Sequence, residues 1–359
     1  MDDKYFKEFL IEDKISWNLA VKKLKNYEVF YLNEYVLAFQ RENQENGKAV
    51  LIVYENKYDY AINVVFCRDV CESIFFKEKL EKGKYFDLIS PYGYGGFIGN
   101  ISDYTILNCE YEKHCIEHGY ICEFVRFELF SSYKNFYANQ NRNAIVQTIT
   151  HNVIRNLEGS LDKIWMDFKH KVRKNVKKAS NHNLEIIIDE TGKYLDDFLN
   201  IYYTTMERTH ASQEFFFSKS FFETINEMSE HYVYFYVKYE NKIISTELVL
   251  YGSENCYSYL GGTIDEYFDL RPNDFLKFEI IKWAKEKKLK NFILGGGYGS
   301  DDGIFQYKAC LAPNGIVNFY IGKKIFNLQT YNKLCKLRGI ESHSNSLEEC
   351  GFFPEYRKV

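Results

Sequence analysis

Asn291-Phe-Ile-Leu-Gly-Gly-Gly-Tyr-Gly-Ser300, followed shortly by Gly303-Ile-Phe-Gln-Tyr-Lys-Ala309, is the part of the chain that says most about its fold. An apolar strand runs into consecutive glycines, and a lysine then follows an aromatic residue on a short amphipathic run. Glycine lets a backbone turn sharply and lets a ligand approach closely, and a lysine beside such a turn can neutralise a phosphate. The pattern indicates a phosphate-bearing substrate, and a turn that only packs a helix is the alternative. The residues expected to bind substrate here are Gly295, Gly296, Gly297 and Tyr307.

Length and composition limit the class of protein. A chain of 359 residues exceeds the size at which a single core stops growing, so two domains are expected. A hydrophobic content of 46% with 27% charged residues is typical of globular proteins. The net charge of -4 argues against a DNA-binding protein, because neutralising many phosphates needs a basic field. A local basic patch, for example for tRNA, remains open.

The cysteines and the N-terminus indicate the compartment. The nine cysteines are scattered and form no Cys-x-x-Cys pair, so neither a disulfide framework nor a zinc knuckle is predicted. A reducing, cytoplasmic location fits this usage. The segment Met1–Glu8 is too charged for a signal peptide, and no apolar run is long enough to span a bilayer.

Hydrophobic periodicity predicts a mixed α/β (α+β) fold. In the second half, strands and helices follow in the order β-α-α-β-β-β-α-β-α-β, after an opening helix over Leu161–Ala179. The first half alternates in a similar way, with a strand predicted over Asn33–Phe39 and a helix over Asp103–His118. The predicted domains are residues 1–157 and 158–324, each a mixed twisted sheet flanked by helices. The C-terminal segment 325–359 is expected to pack back on the first domain.

This order of elements resembles that of the GNAT acyltransferase superfamily, and several motifs resemble the Fem-type aminoacyltransferases in particular. Those enzymes consist of two GNAT-like domains and add amino acids to peptidoglycan precursors. The resemblance covers most of the chain, and it therefore implies two tandem GNAT-like domains here. The motifs that carry it are Lys242-Ile-Ile-Ser-Thr246, Tyr257-Ser-Tyr-Leu-Gly-Gly-Thr263, Pro272, Ile280-Ile-Lys-Trp-Ala284, Leu294-Gly-Gly-Gly297, Gly303-Ile-Phe-Gln-Tyr-Lys308 and, upstream, Ser90-Pro-Tyr-Gly-Tyr-Gly-Gly96.

The resemblance implies an acyltransferase with no tightly bound cofactor. The acyl or aminoacyl group would come from an acyl-CoA or an aminoacyl-tRNA, and an amine of a nucleotide-linked or sugar-linked cell-envelope precursor would attack it directly. Two features depart from the family patterns. The helical coiled-coil arm of some Fem proteins is missing, and so is the Gln/Arg-x-x-Gly-x-Gly/Ala turn with which GNAT enzymes hold the CoA pyrophosphate at a helix N-terminus.

The alternatives are a CoA-dependent N-acetyltransferase acting on a nucleotide sugar or polysaccharide precursor, and a catalytically silent Fem-like binding or assembly protein. The missing pyrophosphate turn favours the silent protein, whereas a lysine beside the glycines argues for an enzyme. Neither the acyl donor nor the choice between monomer and dimer follows from the sequence.

Three residues match family positions. Lys308 is expected to meet the acceptor diphosphate or to stabilise developing negative charge, and the alternative is an exposed helix lysine. Arg208 matches an arginine near the same diphosphate, for which a guanidinium fork is suited, or it forms a helix-end ion pair with Glu207 or Glu214. Tyr259 would bind the acceptor or protonate a leaving group, with packing as the alternative.

Glu247 is a catalytic candidate from the residues alone, because it is a charge inside an apolar strand. Carboxylates on central strands are seldom buried without a partner, and burial would raise the pKa of Glu247 towards that of a general base. Strand alternation places it on the face of Ser245 and Val249, opposite Thr246 and Leu248. An edge-strand glutamate in water is the alternative.

Two further segments are substrate-binding candidates. The basic run Lys169–Lys178, with Lys169 and Arg173, could contact phosphate or tRNA, although such a run is usually only a solvated helix face. Tyr92 and Tyr94 could form a cleft wall, or belong to a connecting glycine turn. The histidines are scattered and predict no metal site.

Overall fold

The computed structural model describes residues 5–43, 47–138, 143–297 and 302–358. The chain divides into two compact units: unit 1 comprises residues 1–149 and 319–359, and unit 2 comprises residues 150–318. Unit 2 is therefore inserted into unit 1 along the chain. The domain boundaries predicted at 157/158 and 324/325 stay a prediction.

Unit 1 is built from strands and helices that alternate along the chain. Within the described residues, the six strands β1 to β6 come from its N-terminal part, and its last α-helix comes from the C-terminal segment. The elements in chain order are β1 (Phe6–Leu10), α1 (Lys14–Lys22), α2 (Asn33–Glu42), β2 (Lys48–Glu55), β3 (Tyr60–Asp69), β4 (Phe86–Ile89), β5 (Ile98–Asn100), α3 (Tyr104–Glu117), β6 (Tyr120–Arg126) and α10 (Leu328–Arg338).

The sheet of unit 1 combines antiparallel and parallel pairs. Strands β1, β2, β3 and β4 pair in sequence order and antiparallel, and β4 then pairs with β6 in parallel, across the helix α3. The strand β13 (Ile316–Ile325) completes the sheet, because its residues 321–325 pair antiparallel with β6. The core on this sheet is rich in aromatic side chains, among them Phe97, Tyr111, Phe127 and Tyr137.

The C-terminal segment is tied to unit 1 through a buried carboxylate. Asp87 on β4 accepts hydrogen bonds from Arg68 (2.7 Å), Arg357 (2.6 Å) and the hydroxyl of Tyr356 (2.9 Å). These cations hold the pKa of Asp87 below its usual value, although burial opposes them. A buried carboxylate is stable only when its lone pairs are satisfied in this way.

Unit 2 begins with the end of one long strand and contains most of the predicted elements. Its elements in chain order are β7 (Ala144–Asn156, of which 150–156 belong to unit 2), α4 (Leu161–Asp167), α5 (His170–Ser180), β8 (Glu185–Asp189), α6 (Leu195–Arg208), α7 (Lys219–Ile225), β9 (Tyr232–Tyr239), β10 (Lys242–Tyr251), β11 (Asn255–Thr263), α8 (Pro272–Glu286), β12 (Asn291–Gly295) and α9 (Gly303–Leu311).

The sheet of unit 2 repeats the arrangement of unit 1. Strands β8, β9, β10 and β11 pair antiparallel in sequence order, and β11 pairs with β12 in parallel, across the helix α8. The last strand is β7, antiparallel to β12. Apart from the short β5, which pairs with β3, the elements from β1 to β6 and those from β8 to β12 follow one order, β-α-α-β-β-β-α-β. This confirms the predicted α+β class with two tandem units, each a mixed sheet flanked by helices.

Helices cover both faces of the unit 2 sheet. Val233, Phe235 and Val237 alternate along β9 and pack in one core with Val172 of α5 and Ile280 of α8. The intervening tyrosines of β9 point to the opposite face, where the ring of Tyr234 lies 5.0 Å from that of Phe198 on α6. This is the two-residue alternation expected of a strand buried on both sides.

The prediction of a strand over Asn33–Phe39 was wrong, because these residues form the helix α2. Four of its buried residues are Tyr35, Val36, Ala38 and Phe39. The last three follow Tyr35 by one, three and four positions, a spacing that places all four on one helix face. Asn18 fixes the start of the helix, since its side-chain oxygen accepts a hydrogen bond from the backbone N–H of Asn33 at 2.9 Å. This tertiary contact outweighs the β propensity of the sequence.

The single helix predicted over Leu161–Ala179 is two helices, α4 and α5. The backbone is extended at Phe168 (ψ 144°) and Lys169 (ψ 147°), so the chain turns a corner there. Phe168 is buried in the core at that corner. The apolar stripe continues across the break, which is why periodicity alone predicted one helix.

Candidate active site

The described pairing of the two parallel strands of the unit 2 sheet stops before the strands end, and we call the place where it stops the opening. The strand β11 pairs with β12 from Asn255 with Asn291 to Tyr257 with Ile293. Both strands continue beyond Tyr257 and Ile293, but no further pairing between them occurs in the described part of the chain. Backbone groups at the carboxyl ends of parallel strands are where ligands of α/β proteins commonly bind.

A β-bulge marks the same place on β11. Leu248 of β10 is paired with Leu260, whereas the next residue, Val249, is paired with Ser258. Tyr259 is therefore the extra residue of the bulge, and its side chain is half-buried. Bulges redirect side chains next to functional sites, so the structure places the predicted Tyr259 beside the opening.

The glycines after β12 are required by the backbone. Gly295 has φ +75°, a left-handed conformation that favours glycine. At Gly296 a Cβ atom would lie 2.6 Å from the carbonyl oxygen of His151, which is too close for any side chain. The turn after β12 therefore has the sharp bend and the close approach expected of Gly295, Gly296 and Gly297, while Tyr298 to Asp301 lie outside the described residues.

Lys308 points back from α9 to this turn. Its Nζ donates a hydrogen bond to the carbonyl oxygen of Gly296 at 2.6 Å. Burial lowers the pKa of Lys308 to about 8, and the positive charge of Lys277 lowers it further, whereas Glu247 and Asp302 act in the opposite direction. Lys308 is therefore a partly desolvated cation close to a second lysine, and the alternative of an exposed helix lysine is wrong.

Glu247 is a buried member of an ion pair. It lies on β10, a strand with neighbours on both sides, and it is 4% exposed, so the edge-strand alternative is wrong. Its Oε2 accepts a hydrogen bond from Nζ of Lys277 at 2.5 Å, and the same ammonium donates to Oγ of Ser258 at 2.6 Å. The predicted face is correct, because Val249 packs against the α8 side of the sheet.

Three buried polar atoms near this ion pair have no hydrogen-bond partner in the described part of the chain: Oε1 of Glu247, Oδ1 of Asp274 and the hydroxyl of Tyr307. Burial raises the pKa of Asp274 to about 6, although Asn175 donates to its other oxygen at 3.1 Å. Burial also raises the pKa of Tyr307, and the negative charges of Asp274 and Glu247 raise it further. Unsatisfied buried groups are costly and rare, so this cluster has the character of a binding site.

The cluster combines two cations, two carboxylates and a phenol on three elements, β10, α8 and α9. An ammonium of depressed pKa can stabilise an oxyanion or a phosphate oxygen. A carboxylate with one free oxygen can accept a proton from an attacking amine. These are the groups that an acyl transfer without a covalent intermediate requires.

Arg208 lies at the C-terminal end of α6 and binds within unit 2. Its Nη2 donates to the carbonyl oxygen of Thr263 at 3.3 Å, and its guanidinium lies 4.9 Å from the ring centre of Phe268. The side chain is exposed. The described contacts do not join it to the cluster around Lys308, so its role as a phosphate ligand stays a prediction.

The two basic candidates, Arg173 on α5 and Lys169 just before it, differ in their surroundings. Arg173 donates two hydrogen bonds to backbone carbonyls at the end of α4, to Met166 at 3.0 Å and to Phe168. It therefore caps the corner between α4 and α5. The side chain of Lys169 is exposed. The backbone N–H of Lys169 donates a hydrogen bond to the backbone carbonyl oxygen of Cys310 at 3.0 Å.

Tyr92 and Tyr94 belong to unit 1. The carbonyl of Tyr92 accepts a hydrogen bond from the hydroxyl of Tyr35 at 2.9 Å. Tyr94 is buried with its ring 5.1 Å from that of Phe30, and burial raises its pKa. These contacts fit a folded turn, and the role of the two tyrosines in substrate binding stays a prediction.

Sequence reasoning missed Asp274, Lys277 and Asn175. Lys277 was open to detection, because it lies three and four residues before Ile280 and Ile281 on the apolar face of α8. A lysine at such a position needs a buried partner. Asp274 lies in the first turn of α8, where an acid is so common that it carries no signal.

Residues 166–309 match a family model for an acetyltransferase (GNAT) domain, and this range contains Glu247, Tyr259, Asp274, Lys277 and Lys308. No curated protein matches the chain significantly in sequence.

Two solved structures share the fold over nearly their whole length. FemX superposes with a TM-score of 0.68 at 14% identity, over 91% of this chain and 99% of that chain. A conserved protein of unknown function from Bacteroides thetaiotaomicron VPI-5482 superposes with a TM-score of 0.58 at 10% identity, over 89% of this chain and 99% of that chain. Within the described residues, the search for a helix able to cross a membrane found none. The predicted resemblance is thus confirmed at the level of the fold: the chain shares the fold of FemX, and residues 166–309, within its second unit, match the acetyltransferase (GNAT) domain.

Proposed function

We propose that the protein is an N-acyltransferase that transfers an aminoacyl or acyl group to an amine of a cell-envelope precursor. The observation that supports this most directly is the cluster of Lys308, Lys277, Glu247, Asp274 and Tyr307 beside the opening between β11 and β12, within the matched GNAT domain. The resemblance of the sequence motifs to the Fem-type aminoacyltransferases, which act on peptidoglycan precursors, directs the proposal to envelope precursors rather than to other amines.

In the proposed reaction, the amine of the acceptor attacks the carbonyl carbon of the donor, and the donor's leaving group departs from the tetrahedral intermediate. Lys308, as an ammonium, stabilises the oxyanion or a neighbouring acceptor phosphate. Oε1 of Glu247 receives the proton that the attacking amine loses. Tyr259, on the bulge of β11, orients the acceptor or protonates the leaving group.

The start of α8 supports aminoacyl-tRNA over acyl-CoA as the donor. A helix N-terminus binds pyrophosphate through free N–H groups and its positive dipole end. Here Pro272, the first helical residue, has no N–H, and the carboxylate of Asp274 lies in the same turn. Arg271 and Lys171 partly offset this negative charge, but an anionic group meets less favourable surroundings than in a helix start without an acid.

The test is a transfer assay with defined donors and acceptors. The purified full chain is incubated with a UDP-linked sugar peptide that bears a free amine, together with either mixed aminoacyl-tRNA or acetyl-CoA, and the product mass is measured. We expect an aminoacylated product and its loss in Lys308→Met. Product from acetyl-CoA alone would favour an N-acetyltransferase. A wild-type protein that binds neither donor would overturn the proposal in favour of a silent assembly protein.

A further inference from the structure

A second cluster of ligand-type side chains lies in unit 1, apart from the groups of the proposed reaction. Glu8, His114 and His118 each place one ligand atom so that the three atoms lie within 4.8 Å of one another. Oε1 of Glu8 lies 3.1 Å from Nε2 of His114, and the two imidazole rings are 4.1 Å apart. Two nitrogens and one carboxylate oxygen converge on one point.

The fold places these side chains together for simple reasons. His114 lies in the last turn of α3 and His118 is its C-cap, so a spacing of four residues puts both rings on one helix face. Glu8 comes from β1, which pairs with β2 at the outer end of the unit 1 sheet. The rings are held by packing, with Phe6 4.9 Å from His114 and Tyr120 stacked 6.0 Å from His118.

The hydrogen bond of His118 prepares it as a ligand. Its Nδ1 lies 2.8 Å from the carbonyl oxygen of His114, and a carbonyl only accepts, so Nδ1 carries the proton. In the neutral ring the lone pair is then on Nε2. A backbone carbonyl that binds the second ring nitrogen is the usual support of a metal-binding histidine.

We propose that Glu8, His114 and His118 bind a divalent transition metal, with Zn²⁺ as the best match. Two imidazoles and one carboxylate, with a fourth position left to water, form a common tetrahedral zinc set. Tetrahedral ligands at about 2.0–2.1 Å from the ion lie ~3.3 Å apart. The separations within 4.8 Å therefore need to close by at most about 1.5 Å, a shift within reach of small side-chain rotations of the exposed residues Glu8 and His118.

Metal binding would join the outer strand β1 to the helix α3. The described pairing of β1 is with β2 alone, so this strand is held on one side by backbone hydrogen bonds. A ligand that binds only the folded form stabilises it by mass action. The proposal departs from the sequence expectation, in which the scattered histidines predicted no metal.

The experiment uses the full chain, stripped of metal with a chelator and titrated with Zn²⁺ alone by calorimetry, and in parallel with Co²⁺ by visible absorption. We expect one equivalent to bind, with a tetrahedral Co²⁺ spectrum that lacks thiolate charge-transfer bands. The exposed-residue variant His118→Ala should weaken binding at least tenfold, and Glu8→Gln should weaken it as well. His170→Ala, which removes an exposed histidine in unit 2, is the matched control and should leave binding unchanged.

Hydrogen exchange provides a readout that does not depend on affinity. Zn²⁺ should slow amide exchange in residues 6–10 of the wild type and leave it unchanged in His118→Ala. Equal Zn²⁺ affinity in the wild type and His118→Ala would overturn the proposal. So would thiolate bands with Co²⁺, since the nine free cysteines would then hold the ion.

Discussion

The two units share one order of elements and one pattern of strand pairing, yet they treat a buried carboxylate in opposite ways. In unit 1, Glu123 on β6 accepts hydrogen bonds at both oxygens, from Tyr111 at 2.7 Å and from Tyr137 at 3.2 Å. In unit 2, Glu247 on β10 binds Lys277 through one oxygen, and the other has no partner among the described residues.

A lysine of each unit shows a difference in burial. Lys324 of unit 1 is fully buried and donates to Oδ1 of Asn108 at 2.8 Å, with its ammonium 4.3 Å from the ring centre of Tyr137. Lys308 of unit 2 is half-buried and holds the glycine turn at the end of β12. A duplicated fold can thus satisfy both oxygens of a buried carboxylate in one copy, as at Glu123, and leave one oxygen without a described partner in the other, as at Glu247.

The largest expected effect is a difference in stability between variants of the two buried carboxylates. Glu247→Gln should lower the free energy of unfolding by about 3–5 kcal/mol, because it leaves the buried ammonium of Lys277 without a counter-charge. Glu123→Gln should cost only about 1–3 kcal/mol, since the hydroxyls that bind Glu123 are neutral and Lys324 acts on it only as a nearby charge that Glu112 also balances. Urea unfolding of both variants measures the difference. The double variant Glu247→Gln/Lys277→Met should recover most of the loss, and a double variant as unstable as the single one would contradict the ion-pair explanation.

The two lysines should separate by activity. Lys308→Met should reduce kcat about 10²–10³-fold, as removal of an oxyanion-stabilising group does, and leave the fold intact. Lys324→Met is the matched control, which should lose stability because Glu112 and the buried Glu123 lose the positive charge beside them, but it should keep its activity per folded molecule. Steady-state kinetics on the folded fraction of each variant test this. Full activity in Lys308→Met would remove the proposed role.

Tyr111 of unit 1 and Tyr307 of unit 2 should differ in how the loss of the hydroxyl changes the stability of the protein. Tyr111→Phe leaves Oε1 of Glu123 unsatisfied and should cost about 1–3 kcal/mol. The hydroxyl of Tyr307 has no partner in the described part of the chain, so Tyr307→Phe should be neutral or slightly stabilising in the free protein. Thermal unfolding of both variants without ligand measures the contrast. A clear loss of stability in Tyr307→Phe would mean that its hydroxyl is satisfied.

The smallest effect concerns pH. The pKa of Lys308 is lowered to about 8 by burial and by Lys277, so its ammonium is present below pH 8 and lost as the pH rises through 8. If the ammonium is the active form, kcat/KM should fall about tenfold per pH unit above 8. Lys308→Arg keeps its charge at these pH values, so its residual activity should show no such decline. An identical descending limb in this variant would assign the titration to another group.

Much of the fold follows from local signals in the sequence. The hydrophobic alternation of β9 and β10 and the proline at the start of α8 specify their elements directly. The helix α2 does not, because its aromatic and β-branched residues favour a strand and only the contact with Asn18 and burial on one face decide for a helix. The strands β1 and β5 were missed because five- and three-residue strands carry too little periodicity.

Some residues of the candidate site were predicted from the sequence and others were missed, and this difference has a physical reason. Lys308, Glu247 and the glycines stand out because each breaks a local pattern, either as a charge in an apolar run or as consecutive residues without side chains. Asp274 and Asn175 conform to the helices that carry them, and only the packing of α5 against α8 brings them together at 3.1 Å. Arg173 belonged to a conspicuous basic run, but its partners are the carbonyls at a corner that the sequence did not predict.

The insertion of unit 2 into unit 1 has a consequence for biosynthesis. When residue 149 has been made, β6 still lacks β13 and Asp87 still lacks Arg357. The intervening residues 150–318 take on the order of ten to thirty seconds to translate at ~5–20 residues per second. Unit 2 can therefore fold on the ribosome as one continuous segment, while unit 1 must wait until residues 319–357 have been made, with the edge of β6 exposed to chaperones in the meantime.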